Sequence, residues 1–246
     1  MNKKTAIITG SSSGIGKEVA KLFLKNEFNV VMNARSESKL QKAFEEFGSP
    51  INAVIVPGDI SDKKIGIKLA DAAVNRFGSL DVLVNNAGIF WPKPFLEVEE
   101  HELDTFYNIN LKGTFFTTQA AIKEMINLGG GSIINIGTVL IEYAMANLPA
   151  AAPLTSKGGI HALTKQLAAE FGKFNIRVNT IAPGVIRTPL LAKNGVTNID
   201  DLAHQQLLGH IGEPKDIAEM ALYLSKSNFI TGESIKVDGG QVVGNS

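Results

Sequence analysis

Short apolar, β-branched runs alternate with longer amphipathic stretches along the whole chain, and this alternation limits the fold more than any other feature. The runs lie at 5–9, 29–33, 51–57, 82–85, 132–136, 177–181 and 234–237. Runs this apolar suit strands covered on both faces, as in a parallel sheet. Between them the spacing predicts helices over 14–26, 37–47, 62–77, 99–128, 156–171 and 214–224. In the first of these, Ile15, Val19, Leu22 and Phe23 recur at helical spacing. The stretch 99–128 reads as one bent helix or two, because Gly113 interrupts it.

Such alternation builds right-handed βαβ units, so the expected fold class is α/β. It is a single Rossmann-type, doubly wound parallel sheet with helices on both faces. No linker, composition shift or charge block divides the chain, which predicts one domain over 1–246. Only 189–212 is long and without clear elements, and a segment like that is usually a binding loop. It is the expected substrate loop.

Lys plus Arg and Asp plus Glu are both 24, so the formal net charge is zero. This argues against a nucleic-acid binder, which needs excess positive charge, and against an anionic membrane surface as partner. The absence of cysteine excludes disulfides, thiolate metal sites and thiol catalysis. Four scattered histidines give no metal-ligand spacing, so no metal is expected. No apolar run approaches the roughly 20 residues of a membrane span, and the first residues lack a signal-peptide apolar core. A soluble cytoplasmic protein is expected.

The first run leads directly into Thr9-Gly10-Ser11-Ser12-Ser13-Gly14-Ile15-Gly16 and then a helix. Glycines let a backbone approach a phosphate closely, and a helix N-terminus offers free N–H groups to a pyrophosphate. Gly10, Ser12, Ser13, Gly14, Ile15 and Gly16 are therefore candidate contacts to a dinucleotide. After the second run comes Ala34-Arg35-Ser36, with no acid before Glu37. A carboxylate there would favour NAD, whereas Arg35 can pair with a 2′-phosphate; the alternative is a solvated loop arginine.

The glycine spacing resembles that of the short-chain dehydrogenase/reductase family, and further motifs follow in the family's order. Asn85-Asn86-Ala87-Gly88 resembles its NNAG motif, Asn110 falls at its helix asparagine, Pro183-Gly184 resembles its PG motif, and Val237-Asp238-Gly239-Gly240 resembles its C-terminal signature. The resemblance spans essentially the whole chain and is nearest to the 3-oxoacyl-reductase-like members. It implies an oxidoreductase that interconverts a small-molecule carbonyl and alcohol, with NADP(H) preferred and NAD(H) possible. It also implies a homo-oligomer, a tetramer or dimer, paired through helices near 99–128 and 156–171.

By that resemblance, Asp59 and Ile60 contact adenine, although Asp59 also suits a helix cap. Asn86, Ala87 and Gly88 would border the cofactor, and Pro183, Gly184, Ile186 and Thr188 would surround its nicotinamide end. The implied catalytic set is an asparagine holding a relay water, a serine, a tyrosine, and a lysine that binds the ribose. Asn110 and Lys157 match, and Thr138 takes the serine position with the same hydrogen-bonding capacity. The tyrosine position, four residues before Lys157, holds Pro153. Proline has no ionisable group. Of the chain's three tyrosines, Tyr143 is the candidate substitute acid, with pocket wall as its other reading. Loss of the acid also admits a catalytically weak dinucleotide-binding protein, acting as a sensor or assembly subunit. Phe90, Trp91, Met145 and Leu148 are expected on the rim of a nonpolar pocket.

Overall fold

The computed structural model describes residues 3–244. The outermost two positions at each end of the expected domain lie outside the described residues. Seven parallel strands form one sheet: β1 (Thr5–Ile8), β2 (Asn29–Ala34), β3 (Ala53–Pro57), β4 (Val82–Asn85), β5 (Gly131–Ile136), β6 (Ile176–Pro183) and β7 (Ser234–Val237). Their spatial order is β3-β2-β1-β4-β5-β6-β7. The chain winds outward from β1 to β3, then crosses back to β4 and winds the other way. The carboxyl ends of β1 and β4 therefore diverge into a crevice, the usual place for a ligand in an open α/β sheet.

Successive strand residues point to opposite faces, and each face has its own core. On one face Ala6, Ile8, Val30 and Met32 pack against Val19, Ala20 and Phe23 of α1 (Gly14–Lys25) and against α2 (Glu37–Glu46) and α8 (Pro214–Lys226). On the other, Ile7, Val31, Leu83 and Ile133 pack against α3 (Lys63–Phe77), α5 (Thr114–Leu128) and α6 (Ala151–Phe171). This is why the sequence shows unbroken apolar runs rather than alternation.

The 99–128 stretch is one continuous helical run, one of the two expected forms, and Gly113 does not interrupt it. α4 (Glu100–Phe106) passes through a widened π turn (Tyr107–Gly113) into α5 without leaving helical geometry. Gly113 serves packing instead. A Cβ there would lie 2.6 Å from Ile60 Cδ1, so only glycine lets this turn approach the loop after β3.

Three other boundaries differ from expectation. α6 begins at Ala151 rather than 156, with Pro153 buried in its first turn. There the missing N–H has no intrahelical acceptor, so proline is tolerated. The 189–212 segment contains α7 (Pro189–Lys193) and a 3₁₀ turn (Ile199–Gln205). Arg187 fastens this segment through Asp200 at 2.5 Å and Glu213 at 2.8 Å. Asp62, not Asp59, caps α3 by accepting from the Lys64 amide at 2.9 Å. Asp59 accepts from the Ser61 amide in a local turn.

A buried polar ladder crosses the carboxyl half of the sheet. Asn85 Nδ2 donates to Thr118 Oγ1 at 2.8 Å and to Asn135 Oδ1 at 2.9 Å. Asn135 Nδ2 donates to Thr164 Oγ1 at 2.9 Å, and Thr164 lies 2.8 Å from Thr180 Oγ1. The ladder joins β4, β5 and β6 to α5 and α6. Asn135→Leu would remove the acceptor of one Asn85 Nδ2 hydrogen and one donor to Thr164 Oγ1, leaving only the Thr118 and Thr180 contacts in a buried site. The expected loss is about 2–4 kcal/mol, read as a lower urea midpoint with an unchanged m-value.

Candidate functional site

The crevice at the β1/β4 divergence is held together by Thr9 and Asn86. Thr9 Oγ1 accepts from the amides of Asn86 and Ala87, both at 3.0 Å. Asn86 Nδ2 in turn donates to the carbonyls of Thr9 at 2.9 Å and Gly10 at 3.2 Å. The loop after β1 is thereby stitched to the loop after β4.

Two adjoining clefts open here, and Ile15, Ile136, Lys157, Thr188 and Leu190 line both. The first, about 330 Å³, runs from the glycine turn past the end of β2 to the loop after β3. Its lining includes Gly10, Ser12, Ser13, Gly14, Arg35, Asp59, Ile60, Asn86, Ala87 and Gly88. Gly10 has φ +67° and Gly14 φ +54°, values that L side chains rarely adopt. A Cβ on Gly10 would lie 2.7 Å from Asn86 Nδ2, and one on Gly14 would lie 3.3 Å from Thr188 Cγ2. Ser13, the N-cap of α1, makes no side-chain capping bond, and the first turn carries no acid. That helix end keeps its N–H groups and positive dipole for an anion. A glycine cradle facing an uncapped helix end fits the pyrophosphate of a nicotinamide dinucleotide.

At the far end of this cleft the lining is Ala34, Arg35, Ser36 and Lys39. The Arg35 guanidinium is well exposed and stands 4.0 Å from the Asp59 carboxylate. Gly16 lines neither cleft, and it packs α1 against Gly10 and Asn86.

The second cleft, about 400 Å³, is largely apolar. Phe90, Met145, Leu148, Val185, Leu191 and Val196 wall it, with Thr138, Pro183, Gly184 and Ile186 also in its lining. Of the expected rim residues Trp91 is missing. Its ring packs on Phe106 instead, with centroids 4.0 Å apart.

Lys157 stands at the junction. Its Nζ donates to the Gly137 carbonyl at 3.0 Å, one residue before Thr138. Burial lowers its pKa from 10.5 to about 8, because a charged ammonium is disfavoured away from water and no counter-charge offsets it. Thr138 Oγ1 accepts from the Leu140 amide at 3.3 Å and caps the short 3₁₀ turn that follows.

Two expected catalytic residues are not brought to the clefts. Asn110 is fully buried behind them. Its Oδ1 accepts from the Ile89 amide at 2.8 Å, and its Nδ2 donates to the Ile89 carbonyl at 3.1 Å and to Ser156 Oγ at 3.0 Å. It clamps the loop after β4 to α6. Tyr143 is half-buried and lines neither cleft.

Residues 10–241 match a family model described as enoyl-(acyl carrier protein) reductase. The chain belongs to the short-chain dehydrogenase/reductase family. Among curated relatives it is 36% identical over 260 residues to the L-rhamnose-1-dehydrogenase of Scheffersomyces stipitis, covering 99% of this chain and 97% of that one. It is 34% identical over 243 residues to the 3-oxoacyl-[acyl-carrier-protein] reductase FabG of Thermotoga maritima, covering 98% of each. A short-chain dehydrogenase/reductase of Mycobacterium marinum superposes with a TM-score of 0.92 at 31% identity, covering 98% of this chain and 96% of that one. A structure described as ElxO with NADP bound superposes at 0.90 and 31% identity, covering 98% and 99%.

Within this family member, sequence reasoning missed Lys39, Ile89 and Lys193 in the first cleft. Lys39 lies four residues after Arg35, in the first turn of α2, a cue the sequence did offer. Ile89 and Lys193 carry no comparable mark.

The depressed Lys157 pKa makes a signed prediction. Between about pH 8 and 10.5 the unfolded chain holds this proton and the folded chain does not, so the group's penalty shrinks as pH rises. Lys157→Met removes the penalty. The stability of the variant relative to the parent is expected to be greatest below pH 8 and to fall toward pH 10.5, in parallel urea titrations.

Proposed function

We propose that this chain is an NADP(H)-dependent oxidoreductase that interconverts a carbonyl and an alcohol on a largely apolar small molecule. The observation that carries the reading is the junction at Lys157, where a phosphate-cradling cleft opens into an apolar one. A bound dihydronicotinamide would supply hydride to a carbonyl carbon. The protein's part is to bind, orient and exclude water.

In this reading the glycine turn and the α1 N-terminus hold the pyrophosphate. Asp59 and Ile60 border the adenine, while Arg35 and Lys39 receive the 2′-phosphate. Asn86, Ala87 and Gly88 form the floor. Pro183, Gly184, Ile186 and Thr188 surround the nicotinamide end, and Lys157 meets the ribose. Thr138 holds the substrate oxygen, Asn110 positions the loop that carries Ile89, and the 189–212 segment closes over the substrate. The NADP-bound structural neighbour supports the cofactor choice. So does the lack of an acid at the end of β2, with Ala34 and Arg35 there instead.

The position of the family's tyrosine is taken by Pro153, so the active site is atypical. That observation also favours a second reading, a dinucleotide-binding protein with little turnover. Oxidation of NADPH and NADH over a panel of ketones and aldehydes separates the two, and turnover on no carbonyl supports the second. A homo-oligomer belongs to the same proposal, with the exposed Phe115 on α5 as a contact point. A monomer by light scattering would remove it.

NADPH is expected to bind at least about tenfold tighter than NADH, roughly 1.4 kcal/mol. Arg35→Ala should weaken NADPH and leave NADH nearly unchanged in fluorescence titrations; equal loss for both would show that Arg35 does not read the 2′-phosphate. Gly14→Val should abolish binding of both while the protein stays folded by circular dichroism. The side chain would be strained at that φ and would crowd Thr188.

A further inference from the structure

We propose that the Lys157 ammonium itself donates the proton to the substrate oxygen, so that this chain runs the reaction without a phenol. The inference rests on the oxidoreductase reading above and assigns the group that reading leaves open.

Reduction of a carbonyl requires a proton. As hydride reaches the carbonyl carbon, the π pair of the C=O bond moves onto oxygen. An Nζ–H bond then breaks, an O–H bond forms, and a neutral amine remains that regains its proton from water. The dihydronicotinamide is oxidised and the carbonyl is reduced to an alcohol. The opposite direction uses the neutral amine as base.

The geometry leaves one group for this task. Of the described residues lining the apolar cleft, Lys157 is the only one with a titratable side chain. It also lines the dinucleotide cleft, so it stands where the two reactants would meet. One of its three N–H bonds goes to the Gly137 carbonyl, which fixes Nζ beside Thr138. One helical turn earlier on the same helix, Pro153 is buried and has no proton to give. Tyr143 lines neither cleft, Tyr107 lines neither cleft, and Tyr223 is exposed on α8.

The other charged groups are placed elsewhere. His161, one turn beyond Lys157, lies 3.2 Å through Nδ1 from Ser234 Oγ and lines neither cleft. Glu142 pairs with Lys236 at 2.6 Å, and Lys165 lies further along α6. Arg35, Lys39, Asp59 and Lys193 line only the dinucleotide cleft. None of these forms an ion pair with Lys157 among the described residues. Burial therefore acts on the ammonium unopposed, and its lowered pKa of about 8 suits proton transfer near neutral pH.

Lys157→Arg tests the assignment, because a guanidinium keeps the positive charge and the donor but does not release its proton near neutral pH. The expected result is NADPH binding that is retained but weakened by the altered ribose contact, and turnover reduced by roughly 10²-fold or more beyond that loss, the usual scale for a general acid. In the parent, the reduction rate should fall tenfold per pH unit above about pH 8. A readout free of turnover is competitive labelling with acetic anhydride followed by mass spectrometry. In the protein without cofactor, Lys157 should label with a midpoint near 8, well below the ordinary lysine value of 10.5. Retained turnover in Lys157→Arg overturns the proposal while the oxidoreductase reading stands. So does turnover that collapses in Tyr143→Phe, or a labelling midpoint near 10.5. A parent that binds NADPH but turns over no carbonyl overturns both.

Discussion

The stitch between Thr9 and Asn86 is the contact on which the site depends. A doubly wound sheet must reverse direction somewhere, and at that point two neighbouring strands send their loops apart. A crevice of this kind exposes backbone N–H and C=O groups that would otherwise need water. Here Thr9 Oγ1 takes two amides from the β4 loop, and Asn86 Nδ2 takes two carbonyls from the β1 loop. The crevice stays open and rigid at once. The glycine turn can then present its backbone to a ligand, because its supporting loop cannot drift.

A second layer of polar contacts fixes the other wall. The ladder from Asn85 through Asn135 and Thr164 to Thr180 ties three strand ends to α5 and α6. Asn110 adds a clamp between the β4 loop and Ser156, next to Lys157 on α6. The π turn that carries Asn110 is part of this arrangement, since single-turn widenings of this sort recur at functional sites. Buried polar groups that are satisfied in this way specify one arrangement, and a partly satisfied set would be costly. The apolar cleft can therefore be walled by side chains with no say in the chemistry, while Lys157 and Thr138 are held by backbone and helix.

The local electrostatics follow from what the clefts lack. The cleft at the glycine turn has cations at its outer end and an uncapped helix at its centre, a distribution suited to a phosphorylated ligand. Among the described residues, the apolar cleft has a single ionisable group, Lys157. An ammonium there meets no carboxylate and is partly withdrawn from water, and the cost of its charge appears as a lowered pKa. A lysine on an exposed helix face, with the same neighbours in sequence, would keep its ordinary value.

The alternating apolar runs, the glycine turn and the ordered motifs determined the fold class and the sheet, and they mark most of the residues that line the cleft at the glycine turn. Those are local signals: strand runs, a glycine turn and a helix start lie close together in the chain, so their spacing encodes their geometry. The end of β2 was legible for the same reason, since Ala34 and Arg35 are read directly. What the sequence left open was decided by contacts between distant segments. The helix expected from 156 begins at Ala151 and takes Pro153 into its first turn, because helix starts depend on what the preceding loop packs against. Tyr143 sat at a suitable distance in sequence from Thr138, yet the path of the 3₁₀ turn after Thr138 takes it away from both clefts. Asn110 matched its motif, but its side chain is spent on Ile89 and Ser156, partners 21 and 46 residues away. The pKa of Lys157 is set by its desolvation at the junction of the two clefts. Desolvation is a property of the assembled interior, and no arrangement of letters along the chain contains it until the chain is folded.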